Sequence, residues 1–345
     1  MKNHSFKLIA LLALGLDATN LHAQPIRVCT STPDVESLAK QLGGEHVRVF
    51  CFAKGPEDPH VIELLPSFVK ELQQAELFIQ VGLGIENAWL KDLATRAAND
   101  KVVKPGSPGN LNLGTGARRL AEDDGADAVP GSFHEEGNPH YLLDPVEGLK
   151  AAQVICDKFI ELQPAKKAEF DALHQQFVKD WATAYLGDAI TARADLSKLE
   201  EFDTTAALEA YLAELTESAG PTDGIAGSLA PFKGTVIVGD HDLWPYFARR
   251  YNMEVLGYLE PSPGVPPTTK HLGELIGRMK AANVPVILTA PYFDQRHGRF
   301  VSERTGAKVV PMAHQTGGRP EADDYLSMVQ YNADQLATVL QEARQ

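Results

Sequence analysis

Positive charge is in short supply. The 345-residue chain carries 32 Lys and Arg against 46 Asp and Glu, a formal net charge of -14. Phosphate backbones and anionic membrane surfaces repel such a chain within a Debye length of about 8–10 Å, so nucleic acid is excluded as a partner, whereas dissolved cations are not. Long apolar runs are missing after the first two dozen residues, which excludes a transmembrane helix further along. Enzyme signatures are missing as well. There is no HExxH pair and no Ser-His-Asp order, and Gly82 and Gly84 of VGLGIEN reach Asn87 without the third glycine of a dinucleotide fingerprint. Cysteine is scarce: Cys29, Cys51 and Cys156 are the full set.

The one apolar run that is present lies at the start. Lys2 and Lys7, the stretch from Phe6 to Leu16, and LHA ending at Ala23 read together as a secretory signal over residues 1–23. No cysteine stands at the cleavage region, so the expectation is a free periplasmic protein without a lipid anchor. Disulfides persist in that compartment. Cys29 and Cys51 fall on predicted neighbouring strands and allow a bridge; the other reading is three buried thiols.

The length suits two compact domains. After the signal, IRVCTS, VRVFCFA and ELFIQVG read as strands, alternating with the helices VESLAKQLGG, PSFVKELQQA and IENAWLKDLATRAA, and KVVKPG reads as a further strand. Strands alternating with helices imply a parallel sheet covered on both faces. Residues 107–137 are rich in Gly, Asp, Glu and Ala and read as an acidic loop with too little apolar surface to offset ordering entropy. Phe170, Leu173, Phe177, Trp181 and Tyr185 form one apolar stripe at spacings of three and four, which predicts a connecting helix over 163–186. The alternation resumes at Thr235 with TVIVG, EVLGYL, VPVILTA and KVVPMA as strands, and a long amphipathic helix closes the chain. The expected organisation is therefore an α/β protein of two lobes: residues 24–162, the connecting helix 163–186, and residues 187–345.

The histidines stand out by position. His60 follows VRVFCFA, His241 follows TVIVGD, and His314 follows KVVPMA. All three sit past the carboxyl ends of predicted strands, the edge at which open α/β sheets bind ligands. His140, in GNPHYLLDP, lies at the exit of the acidic loop. Imidazoles converging on a cleft suit a borderline-soft metal, since neutral nitrogen donors at about 2.0–2.1 Å satisfy tetrahedral zinc. His46, His174, His271 and His297 have polar, helical or turn surroundings and read as ordinary; His134 falls in the acidic loop. Pro59 restricts Asp58 to extended conformations, so the loop delivers His60 along a fixed path.

These segments resemble a family, the solute-binding proteins of bacterial ABC importers for zinc and manganese. GPEDPHVIELLPSFVKELQQAELFIQVGLGIENAWL is similar to its first metal loop, NPHYLLDP to its second ligand segment, HDLWPYFARRYNMEVLGYLEPSPGVPP to its third, and YLSMVQYNADQL to its terminal helix. The resemblance covers most of residues 25–342. It implies two α/β lobes joined by a rigid helix with a metal clamped between them, no catalysis, a monomer, and delivery to an ABC permease at the inner membrane. It also implies that His60, His140 and His241 are nitrogen ligands. The chain departs from the pattern where relatives carry carboxylates: Ala290 and Ala313 stand there, and His314 follows. Either His314 completes a four-nitrogen site or water or an acid of the loop does so. A His-rich set without carboxylate favours Zn2+ over Mn2+. Three histidines and a water also describe a catalytic zinc site, so a zinc hydrolase is the enzyme alternative, and a periplasmic zinc chaperone or buffer is the other.

Overall fold

The computed structural model describes residues 24–117, 120, 137–201, 205–219, 223–261 and 265–344. The segment 1–23 read as a signal, and most of the acidic loop with His134, lie outside the described residues.

Two four-stranded sheets carry the architecture. In the first, β1 (Ile26–Thr30), β2 (Val47–Cys51), β3 (Leu77–Gln80) and β4 (Asn110–Asn112) run parallel in the order β2-β1-β3-β4. In the second, β5 (Val236–Gly239), β6 (Glu254–Tyr258), β7 (Val286–Thr289) and β8 (Lys308–Pro311) repeat it as β6-β5-β7-β8. In each lobe the second strand returns on the opposite side of the first from the third, which leaves a crevice at the carboxyl edge.

Strand periodicity sorts the core. Ile26, Val28, Leu77 and Ile79 of the first sheet share one apolar cluster with Ile237, Val286, Leu288 and Val310 of the second. Helices Pro33–Gly43, Pro145–Leu162, Lys167–Leu186 and Tyr325–Ala343 fill the space between them. The alternate positions face outward into separate clusters: Cys29 and Phe78 beneath helices Pro66–Gln74 and Leu90–Ala97, and Val238 and Ile287 beneath Thr269–Ala281 and Gln295–Thr305. The lobes are thus joined by a continuous core. Swinging them apart would expose side chains worth about 1.5–3 kcal/mol each, which favours a rigid pair over a hinge.

The predicted connecting helix is Lys167–Leu186, preceded by a 3-10 turn at Pro164–Lys166 and ended by Gly187 with φ +85°. Phe170, Phe177, Trp181 and Tyr185 are buried as the stripe requires, Leu173 is only half-buried, and Trp181 donates its Nε1–H to the Pro145 carbonyl at 2.8 Å. His174 is buried on the same helix, and the His271 ring contacts the Tyr258 carbonyl at 3.0 Å.

Three expectations are corrected. KVVKPG is no strand: Asp100–Val103 is one helical turn, with Val102 buried. The fourth strand is instead Asn110–Asn112, inside the segment read as acidic loop, and three residues are too few to show a period. IENAWLKDLATRAA becomes helical only at Leu90, because Trp89 turns inward to donate to the Pro59 carbonyl at 3.0 Å. Finally, none of the three cysteines, all among the described residues, forms a disulfide. Parallel register pairs Cys29 with Phe50 and Cys51 with Thr30, so the two thiols point to opposite faces of the sheet and a bridge between them is excluded.

Candidate metal centre

The His60 loop leaves β2 with Phe52 and Ala53 still buried and bonded to the carbonyls of Thr30 and Ser31. It then closes on itself. The Glu57 carboxylate accepts from the Lys54 amide at 3.2 Å and the Lys54 ammonium at 3.1 Å. Asp58 Oδ1 accepts from the His60 amide at 2.9 Å and contacts its ring Nδ1 at 2.8 Å. Burial works to raise the Asp58 carboxyl, yet the His60 bonds hold it below the ordinary aspartate range. An ionised Asp58 makes Nδ1 the donor and leaves the lone pair on Nε2, the orientation that carboxylates impose on ligating histidines.

His140 opens a 3-10 turn, His140–Leu143, and is 6% exposed. Asn138 fixes it from two sides: its Oδ1 accepts the His140 amide at 2.9 Å, and its Nδ2 donates to the Asp242 carbonyl of the other lobe at 2.9 Å. The His60 and His140 rings lie 5.2 Å apart, centroid to centroid, at 64°. The turn runs into Asp144, which caps helix Pro145–Leu162 through the Val146 amide at 2.9 Å. The same buried carboxylate receives Arg249 at 2.9 Å and Arg250 at 2.6 and 2.8 Å from the other lobe.

His241 follows β5 and is 3% exposed. Asp240 shapes its turn, accepting from the His241 amide at 2.8 Å, the Trp244 indole at 3.1 Å and the Ala290 amide. Burial raises the Asp240 carboxyl to about 7 against those bonds. Gly239 is required there, since a Cβ would lie 2.5 Å from Trp244 Cδ1. The His241 ring rests on Phe293 at 5.4 Å. Phe293 contacts Tyr292 at 4.5 Å, and Tyr292 meets the His314 ring at 4.7 Å. Aromatic contacts from the β7 exit therefore run between the two histidines of this lobe.

His314, 4% exposed, crosses to the first lobe, where its Nε2 meets the Glu57 carbonyl at 3.0 Å. With Nε2 donating, the lone pair falls on Nδ1, which is buried with no hydrogen-bond partner among the described residues. Burial lowers this imidazole to about 4, so it is neutral at ordinary pH. A cavity of about 20 Å³ lies between the loops, lined by Asp34, Pro59, His140, His314 and Gln315 among others; one water-sized body fits such a volume.

The structure thus brings His60 and His140 ring to ring, ties the His140 and His241 segments through Asn138, and seats His314 against the His60 loop. As the side chains stand, no group of three or more His, Cys, Asp or Glu is arranged to hold an ion among the described residues. Sequence reasoning missed Asn138, Asp240, Gln315 and Glu260. Glu260 stands at the exit of β6, with its amide bonded to the Asp240 carbonyl at 2.9 Å. The strand-exit rule that selected three of the histidines would have selected it.

Two parallel lobes with their loops meeting over the carboxyl edges, braced by a long helix, define a two-lobed solute-binding protein. The family described as "ZnuA: Zinc-uptake complex component A periplasmic" matches residues 28–198 and 191–339, and the chain belongs to that family. It is 22% identical over 341 residues to the manganese-binding lipoprotein MntA of Halalkalibacterium halodurans, covering 97% of this chain and 96% of that protein. The zinc-binding lipoprotein AdcA of Streptococcus pneumoniae is 24% identical over 339 residues, covering 96% of this chain and 60% of AdcA. The crystal structure of ZnuA matches with a TM-score of 0.63 at 22% identity, over 91% of this chain and 98% of that one, which shows the shared fold. The chain is accordingly an extracytoplasmic metal-binding component of an ABC importer and not an enzyme, and the hydrolase alternative falls.

Proposed function

We propose that the protein captures zinc in the periplasm as a free monomer and delivers it to an ABC permease of the inner membrane. His60, His140 and His241 supply nitrogen ligands, and His314 completes the set through Nδ1. The observation that carries this reading is the Asp58–His60–His140 arrangement: a carboxylate 2.8 Å from Nδ1 of one imidazole, whose ring lies 5.2 Å from a second, buried one. The His314 assignment is supported by its Nδ1, buried with no hydrogen-bond partner among the described residues. Rotation of side chains on fixed loops then gathers the ligands as the ion arrives.

A four-imidazole set favours zinc, since manganese prefers oxygen donors. Calorimetric titration of the metal-stripped protein should give one zinc site of sub-micromolar affinity and manganese binding at least tenfold weaker. Manganese binding as tight as zinc would overturn the zinc assignment. Delivery is checked in a deletion strain under chelation: zinc uptake should fall, whereas unchanged uptake with an under-metallated enzyme would favour the chaperone reading.

A further inference from the structure

We infer that Gln315 is a positioning residue for the His60 loop and that it sets how long the captured ion stays bound. This rests on the reading of His60 as a metal ligand. Gln315 is 2% exposed and crosses from the exit of β8 to the other lobe. Its Nε2 donates to three carbonyls of the metal loop: Lys54 at 2.9 Å, Gly55 at 3.1 Å and Glu57 at 3.0 Å. A primary amide has two N–H donors, so the three carbonyls share them, with one N–H divided between two oxygens. These part-buried carbonyls, stripped of that donor, would turn toward water for a replacement and carry the loop with them.

The neighbouring residues fix the strap on which Gln315 rides. Thr316 gives its amide and hydroxyl to the buried Asp34 at 2.6 and 2.8 Å, an anchor on helix Pro33–Gly43 and not on the loop. Gly55 packs against Gly317 so closely that a Cβ on Gly55 would lie 2.2 Å from the Gly317 carbonyl. The far side of the loop has little cover: Val61 is 73% exposed and Leu65 40%. The loop that presents His60 is therefore held by Trp89 at Pro59 on its own lobe and, from the opposite lobe, by Gln315 at three carbonyls and the His314 ring at one of them. A displacement of β8 reaches the loop through the Gln315 amide together with the His314 ring, which meets the same Glu57 carbonyl.

The test uses the mature chain, stripped of metal, as wild type, Gln315→Ala, Gln315→Glu and the control Thr316→Val. Zinc affinity is read by chelator competition, zinc dissociation by stopped flow, and site geometry by the visible absorption of the Co2+ form. Gln315→Ala and Gln315→Glu should bind zinc about 10–100-fold more weakly, chiefly through faster dissociation, with an altered Co2+ spectrum. Thr316→Val should lower Tm while its zinc affinity stays within about 2-fold of wild type and its Co2+ spectrum is unchanged. Wild-type affinity and spectrum in Gln315→Ala would overturn the inference alone. So would an equal loss of affinity in Thr316→Val, which would mark general interlobe stabilisation. A wild-type protein that binds no zinc would overturn the site reading together with the inference.

Discussion

At the scale of single residues, the centre is organised by side chains that need not touch the ion. Asp58 orients His60, Asn138 orients the His140 segment, and Asp240 folds the turn that carries His241. Replacing such an orienting carboxylate lowers metal affinity by about 10–100-fold in comparable sites. Asp58→Asn should therefore weaken zinc binding by that factor with little loss of Tm, which calorimetry and thermal melts together check. A pH signature comes from Glu86, which is not among the proposed ligands. Burial raises its carboxyl to about 7, against bonds from Ser31, Gly82 and Val81 that lower it. The folded state keeps this proton to higher pH than the unfolded chain, so the group's contribution is complete below the ordinary glutamate value and is lost as pH rises through about 7. Relative to Glu86→Gln, wild type should lose on the order of 3 kcal/mol between about pH 4 and pH 8 in urea melts. A gap that does not change with pH would contradict the burial argument.

At the scale of elements, the two halves of the site are coupled by the Asp144 cluster. That carboxylate caps the helix after His140 and holds Arg249 and Arg250 on the helix Pro245–Arg250 that follows His241. Removing one partner of a buried pair leaves an uncompensated charge, at about 3–5 kcal/mol. Asp144→Ala should be destabilised by that amount in denaturant melts; a loss below about 1 kcal/mol would mean the pair is solvated, as surface pairs are. Elements were legible in the sequence where a period was long enough to see. The stripe Phe170, Phe177, Trp181, Tyr185 announced the connecting helix, and seven of the eight strands are apolar runs of four or five residues. The eighth, Asn-Leu-Asn at 110–112, has one apolar side chain and is made a strand only by its neighbour β3. The same limit applies at the site. Positions past strand ends were readable, and so the histidines were found. Gln315 and Asn138 donate to carbonyls of the other lobe, 258 and 104 residues away, and no local pattern encodes that.

At the scale of the whole molecule, one apolar cluster spans both lobes, and the proposed reading therefore assigns capture and release to loops at the sheet edges more than to lobe rotation. An ion that binds only the folded chain must stabilise it by mass action, by about 2.7 kcal/mol at a free concentration 100 times Kd. For a chain of this size that is a rise in Tm of about 5 °C. The rise should track zinc concentration and vanish with chelator. The central claim is that His60 is a ligand of that ion, and the most direct measurement is the zinc affinity of His60→Ala beside wild type by calorimetry. The account predicts a loss greater than the roughly 100-fold expected from removing an orienting partner alone. Unchanged sub-micromolar zinc binding by His60→Ala, with stoichiometry intact, would contradict it.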